Sequence, residues 1–239
     1  MSLSPIEKAK RAAAHAASEA FIRSGLRIGV GSGSTVKYLV DYLKEQYGSG
    51  ELKEILCIPT SFMTRKWLID SNLPVSDLEK TPELDVCIDG ADEVDPSLNC
   101  IKGGGGCLTQ EKIVQNAAKK FVVIADSNKK AKFLGEKYKA VPIEILPFGY
   151  VATQRFIQQK VGGECEMRLG PKFFPTITDN GNYLVDWKFP ESSVATDWAF
   201  INQQILSIPG VVETGLFLNV AETVYFATPE GEVDIVSKK

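Results

Sequence analysis

Histidine is nearly absent: the 239 residues contain one, His15. That scarcity removes most histidine-based metal sites, and any Ser-His-Asp triad would have to use this single residue. His15 lies in an alanine-rich helical segment and reads as a helix-face residue. Acid–base chemistry must then rest on carboxylates, lysines, tyrosines or cysteines. No apolar run approaches the roughly 18 residues of a membrane span, so no membrane partner is expected. The N-terminal residues carry Glu7, Lys8, Lys10 and Arg11 ahead of the alanines and lack the apolar centre of a signal peptide. There is no basic block and the net charge is −3, which argues against a nucleic-acid surface. The five cysteines, at 57, 87, 100, 107 and 165, are odd in number and form no C-x-x-C pair. They read as reduced thiols of a cytoplasmic protein, not a disulfide frame or a zinc site.

What remains is a globular composition, 44% hydrophobic and 24% charged, at a length that allows one large domain or two small ones. Apolar residues recur at helical spacing over 5–24, with Ile6, Ala9, Ala13, Ala17, Ala20 and Phe21 in step. A strand at 26–31 runs into Ser32-Gly-Ser-Thr35, and a helix follows with Val36, Leu39, Val40 and Leu43 on one face. Strands at 55–58, 84–89 and 121–125 alternate with helices at about 61–70 and 109–119. That alternation predicts an α/β fold whose Rossmann-like parallel sheet carries helices on its faces. From about 135 the order becomes strand 140–146, helix 150–160, strands 164–169 and 183–189, helix 196–206 and strand 211–217. This βαββαβ order fits a smaller ferredoxin-like α+β domain. The expected boundaries are 1–134 with 216–239 for the first domain and 135–215 for the second. Residues 223–227 and 233–236 read as a hairpin returning to the first.

Three apolar strands end in polar loops, after Gly31, Ile88 and Ala125, and ligands of open α/β sheets bind outside such strand ends. Gly31-Ser-Gly-Ser-Thr35 lies between strand and helix, where amides and hydroxyls favour a phosphate. It lacks the spacing of a P-loop and of a dinucleotide fingerprint, so a phosphorylated small molecule fits better than a nucleotide. A tight turn with a Ser or Thr cap is the plainer alternative. Asp89-Gly-Ala-Asp-Glu-Val-Asp95 packs four carboxylates into seven residues. It reads as an Asx-rich turn, as a magnesium site of non-EF-hand spacing, or as a holder of sugar hydroxyls through Asp89 and Asp92. Lys102-Gly-Gly-Gly-Gly-Cys-Leu-Thr-Gln-Glu111 places a cation, bare backbone amides and a carboxylate within ten residues. Thr109 there looks like a helix N-cap, with Glu111 in the first turn. Such a set can move a proton beside a developing oxyanion, although a flexible loop with a dipole-complementing Glu111 would look the same. Lys129, after the strand at 121–125, is a phosphate counter-charge or an ordinary surface lysine.

Taken together, GSGST at 31–35, DGADEVD at 89–95, KGGGGCLTQEK at 102–112 and the Asp126-x-x-Lys129 step resemble the type A ribose-5-phosphate isomerases in motif, order and spacing. The resemblance covers nearly the whole chain and includes Pro209-Gly-Val-Val and Thr214-Gly-Leu-Phe217. It implies an aldose–ketose isomerisation of ribose 5-phosphate and ribulose 5-phosphate through an enediolate. It implies Glu111 as the proton shuttle, Lys102 as an oxyanion partner, Asp89 in ring opening and Asp92 in orienting hydroxyls. Substrate contacts are then expected at Ser32, Gly33, Ser34, Thr35, Asp89, Gly90, Ala91, Asp92, Lys102, Gly103, Gly104, Gly105 and Lys129. No cofactor and no metal are implied, and the expected assembly is a homodimer or homotetramer. An amino-sugar-phosphate isomerase or deaminase, and a non-enzymatic sugar-phosphate sensor, are the rival readings.

Overall fold

The computed structural model describes residues 3–191 and 197–238. In chain order the first elements are α1 (Pro5–Phe21), β1 (Arg27–Val30), α2 (Val36–Gly48), β2 (Leu56–Pro59), α3 (Phe62–Asp70) and β3 (Val86–Asp89). Two short strands follow, β4 (Glu93–Val94) and β5 (Cys100–Ile101), then α4 (Leu108–Asn116), β6 (Phe121–Asp126) and β7 (Val141–Ile145). The remaining elements are α5 (Tyr150–Val161), β8 (Glu164–Met167), β9 (Tyr183–Lys188), α6 (Trp198–Leu206), β10 (Val211–Thr214), β11 (Leu216–Phe217), β12 (Thr223–Ala227) and β13 (Val233–Ser237).

The chain divides into two compact units. Unit 1 comprises Met1–Ala91, Gln110–Lys130 and Asn219–Lys239, and unit 2 comprises Asp92–Thr109 and Ala131–Leu218. Unit 1 is built on a six-stranded sheet in the order β13-β12-β6-β3-β1-β2, parallel throughout except for the antiparallel edge pair β12–β13. The chain leaves β1 for β2 on one side and returns to β3 on the other. The crevice of this doubly wound sheet therefore opens at the carboxyl ends of β1 and β3. Ala13, Ala17, Ile28, Leu39, Leu43, Ile88, Val122 and Tyr225 share one buried apolar cluster in unit 1, as the helical periodicity and the continuous apolar strands require. α1 ends at Phe21, three residues short of the expected 24. There the Arg23 guanidinium donates to the carbonyls of Glu19 and Ile22 at 2.7 and 2.6 Å.

Unit 2 carries an antiparallel sheet in the order β10-β7-β9-β8 with α5 and α6, the 4-1-3-2 arrangement of a ferredoxin-like fold. Its core gathers Val141, Ile143, Ile157, Val185, Trp187, Ile201 and Ile205. The first residue of the expected helix at 196–206, Thr196, lies outside the described residues, and α6 begins at Trp198 behind the capping carboxylate of Asp197.

Two expectations change. The acidic stretch after Asp89 is not a plain loop, because β4 and β5 pair with β11 in a separate three-stranded sheet of unit 2. Residues 92–109, 131–134 and 216–218 consequently group with unit 2 instead of with the first domain. The expected strand at 211–217 is also two strands. Gly215 interrupts it, its N–H donating to Pro142 O at 2.7 Å and its carbonyl accepting from Lys102 N at 2.8 Å. One half thus serves the four-stranded sheet and the other the three-stranded one.

Candidate active site

In unit 1 the site grows from the strand ends. Asp89, the last residue of β3, is 0% exposed, and its Oδ1 accepts from the N–H groups of Ser32 at 2.8 Å and Gly90 at 2.7 Å. Two charge-assisted bonds lock that carboxyl in place. Gly31 is required beside it, because a Cβ at 31 would lie 1.9 Å from Asp89 Oδ1. The loop that follows is braced by hydroxyls from the next strand end. Ser32 Oγ and Thr60 Oγ1 lie 2.7 Å apart, and Thr64 Oγ1 donates to Gly31 O at 2.7 Å. Ser61 caps α3, accepting from Thr64 N at 3.1 Å. Gly33 and Ser34 are exposed, and Thr35, the N-cap of α2, makes no side-chain cap bond. The first amides of α2 are thus open to an anion.

Neighbouring parallel strands bring further residues to the same edge of the sheet. Gly90 and Ala91 leave β3 beside the loop, and β6 ends at the buried Asp126, whose Oδ1 accepts from Asn128 N at 3.1 Å. That bond starts the short 3-10 turn Ser127–Lys129. Lys129 is half-buried and makes no ion pair among the described residues. Glu111 occupies the first turn of α4 and is 5% exposed. One turn on, Val114 packs over Gly29 of β1, which ties this helix to the sheet. Thr109 is not the N-cap: α4 begins at Leu108, and Thr109 Oγ1 is buried within the helix without a hydrogen-bond partner among the described residues.

Unit 2 holds the glycine loop. Lys102, which follows β5, is 2% exposed, with Nζ 5.2 Å from the centroid of the Phe217 ring. Gly106 N donates to Gly103 O at 3.0 Å and closes the loop as a turn. Asp92 Oδ2 accepts from Gly104 N at 2.7 Å, and a Cβ at 104 would lie 2.7 Å from Asp92 Oδ1. The Gly104 amide is therefore committed to Asp92. The N–H groups of Gly103 and Gly105 have no acceptor among the described residues. From the other side, Arg168 Nη1 donates to Gly103 O at 3.0 Å and Gly104 O at 3.2 Å. Arg168 also grips Asp186 with two nitrogens, Nε donating to Oδ2 at 2.8 Å and Nη2 to Oδ1. Burial first, and then the charge of Asp92, push the Tyr138 phenol up to about 12, so it stays neutral at ordinary pH.

The four acids of 89–95 have separate tasks. Asp89 belongs to the loop after β1 and Asp92 to the glycine loop. Glu93 is fully buried and accepts from the amides of Gly135, of Lys137 at 2.6 Å and of Tyr138 at 2.8 Å. Asp95 makes an Asx turn, its Oδ1 accepting from Ser97 N at 2.8 Å and Asn99 N at 2.9 Å. Among the described residues, no three His, Cys, Asp or Glu side chains gather as a metal site, and no helix is long and apolar enough to cross a membrane. Sequence reasoning missed Thr60, Thr64, Arg168 and Asp186. Thr60 and Ser61 did carry a signal, since hydroxyls follow an apolar strand there as they do at 32–35.

Comparison with known proteins agrees with this architecture. The family described as ribose 5-phosphate isomerase A (phosphoriboisomerase A) matches residues 56–231. The chain is 55% identical over 239 residues to a probable ribose 5-phosphate isomerase of Caenorhabditis elegans, covering 99% of this chain and 95% of that one. A solved ribose 5-phosphate isomerase from Plasmodium falciparum superposes with a TM-score of 0.92 at 35% identity, covering 98% and 99% of the two chains. A D-ribose-5-phosphate isomerase solved in complex with phospho-erythronic acid superposes with a TM-score of 0.90 at 38% identity, covering 97% of this chain and 99% of that one. With likeness of sequence and fold running from end to end, the chain belongs to the ribose 5-phosphate isomerase A family.

Proposed function

We propose that the reaction its family is named for, interconversion of D-ribose 5-phosphate and D-ribulose 5-phosphate, runs on this chain through an enediolate with Glu111 as the proton shuttle. The observation that carries this reading is the stretch 102–111. It supplies a buried lysine, two uncommitted loop amides and a buried carboxylate in the first turn of the following helix. The Glu111 carboxylate takes the proton from C2, the C2–H electrons form the C1–C2 double bond, and the carbonyl electrons move onto O1. Lys102 and the amides of Gly103 and Gly105 stabilise that oxyanion. Glu111 then returns the proton to C1 while the hydroxyl proton passes from O2 to O1. No electrons enter or leave the substrate, so no redox cofactor is called for.

The GSGST loop with the open start of α2 receives the phosphate, and Lys129 adds charge. Asp89 assists opening of the furanose ring, and Gly90 and Ala91 line the sugar. Asp92 braces Gly104 and orients hydroxyls with its remaining lone pairs. The ligand of the related structure supports the substrate class and the enediolate, not the residue roles. Phospho-erythronic acid is a short polyol with a phosphate at one end and a planar carboxylate at the other, and that carboxylate has the charge and shape of an enediolate. A homodimer or homotetramer and a cytoplasmic location belong to the same proposal. Five cysteines outside any disulfide, four of them buried, accord with a reducing compartment.

The test is Glu111→Gln, which keeps the size of the side chain and removes the base. Turnover should fall by on the order of 10²–10⁴-fold with substrate binding retained. In deuterated water the unmodified protein should place solvent deuterium on the product. Near-normal kcat in the variant would move the base elsewhere, with Asp89 the next candidate.

A further inference from the structure

Four consecutive glycines have the largest backbone entropy to lose, yet an oxyanion donor must be held still before the charge arrives. Something outside the loop must fix it. In unit 2, Arg168 follows β8, and Asp186 lies on β9. The antiparallel register pairs Glu166 with Asp186 and Met167 with Val185, so Arg168 and Asp186 are diagonal neighbours on one face. Asp186 engages Nε and Nη2 and fixes the guanidinium plane. The remaining nitrogen, Nη1, donates to the carbonyls of Gly103 and Gly104. The Gly103–Gly104 peptide is thus stretched between a cation at its carbonyl and the Asp92 carboxylate at its N–H. The Gly104–Gly105 peptide has the same cation at its carbonyl, and its N–H, on exposed Gly105, has no acceptor among the described residues. A cation on a peptide carbonyl draws density from the nitrogen and strengthens the N–H as a donor.

The geometry points to Arg168, held by Asp186, as a positioning residue that immobilises the glycine loop and polarises the Gly105 amide toward the enediolate oxygen. This inference rests on the reading that the glycine loop stabilises that oxygen. Lysine at 168 would keep the charge and lose the fork, because one ammonium cannot span Asp186 and two carbonyls in this arrangement.

The experiment compares Arg168→Ala, Arg168→Lys, Asp186→Asn and Lys102→Met in ribose 5-phosphate turnover, each at matched folded fraction. The expected result for Arg168→Ala is a loss of kcat on the order of 10²-fold, the scale of one missing oxyanion donor, with KM within about threefold. Guanidinium ion at tens of millimolar should restore part of that kcat, while methylammonium at equal ionic strength should not. Arg168→Lys should fail to recover the rate, and Asp186→Asn should lose a smaller share of kcat. Unchanged kcat in Arg168→Ala overturns the inference. So does a loss that guanidinium cannot rescue and that follows the unfolded fraction. If Lys102→Met is inactive while Arg168→Ala is fully active, the inference alone fails. If Lys102→Met keeps its rate, the loop is not the oxyanion site, and the inference falls with that reading.

Discussion

Adding a single methyl group at Gly31 should cost both stability and activity. The backbone at 31 is not left-handed, so alanine meets no torsional penalty there and the effect is steric. A Cβ would lie 1.9 Å from Asp89 Oδ1, 2.2 Å from its Cγ and 2.5 Å from its Cβ. Carbon and oxygen in ordinary contact need about 3.4 Å or more, so the carboxyl must retreat by roughly 1.5 Å. That displacement breaks the bonds of 2.8 and 2.7 Å from the Ser32 and Gly90 amides. Bonds to a charged group contribute about 1.5–3 kcal/mol each and overpacking adds about 1–3 kcal/mol, so partial relaxation leaves a loss of about 4 kcal/mol. That is a large share of the roughly 5–15 kcal/mol that holds a typical domain. Gly48→Ala is the control, because nothing lies within 4 Å of its added Cβ. It should stay within about 1 kcal/mol of the unmodified protein and on the stabilising side. Urea denaturation followed by circular dichroism gives the first quantity, and kcat/KM at matched folded fraction gives the second. A Gly31→Ala protein with an unchanged midpoint and full turnover would refute the claim that Asp89 is locked against the loop.

The phosphate should be required for productive binding, so ribose should turn over with a kcat/KM far below that of ribose 5-phosphate; similar values would remove the phosphate role from Ser34, Thr35 and Lys129. Turnover should survive exhaustive chelation with EDTA, and loss that magnesium restores would turn Asp89 and Asp92 into metal ligands. His15→Gln should leave kcat unchanged, since His15, on α1, packs edge-on against Tyr42 of α2 with ring centroids 5.5 Å apart. Burial, and then the Arg11 charge, hold the folded His15 pKa below its ordinary 6.5. The unfolded chain therefore takes the proton first, and this residue's stabilising contribution, full above 6.5, is lost as pH falls toward the lower folded value. The urea midpoint should consequently drop less in His15→Gln than in the unmodified protein between about pH 7.5 and 5.5, and equal drops would contradict the assignment.

The parts of the fold with a helical period or a continuous apolar run were legible. The faces of α1 and α2 follow from a spacing of 3.6 residues, the strands β1, β3 and β6 from short apolar runs bounded by polar loops, and the βαββαβ order from the alternation of the two kinds of segment. β4 and β5 were not, because two-residue strands show no period and the acids around them read as turn. Only the sheet with β11 reveals that Asp92 and Glu93, adjacent in sequence, serve different amides. Thr109 misled because a threonine before an acidic first turn is the usual cap pattern, whereas the helix here begins one residue earlier. Within the site, glycines and acids clustered in sequence announced themselves. Arg168 did not, since its partners Gly103 and Gly104 lie about 65 positions away and an arginine at a strand end has no local signature.

The interleaved composition of unit 1 has a consequence during synthesis. β6 is buried along all six residues, and one of its two neighbours, β12, lies at 223–227. Roughly 100 residues separate the end of β6 from the end of β12, so at about 5–20 residues per second the growing chain carries an unpaired β6 edge for some 5–20 seconds. An apolar edge of that kind is a template for pairing with other chains. Unit 2 meets the same delay in its smaller sheet, where β5 waits for β11 at Leu216–Phe217. A nascent chain stalled before residue 223 would hold β1, β2, β3 and β6 and still be unable to close that edge. Quality control would meet it as an unfinished sheet, a client for chaperones and proteases.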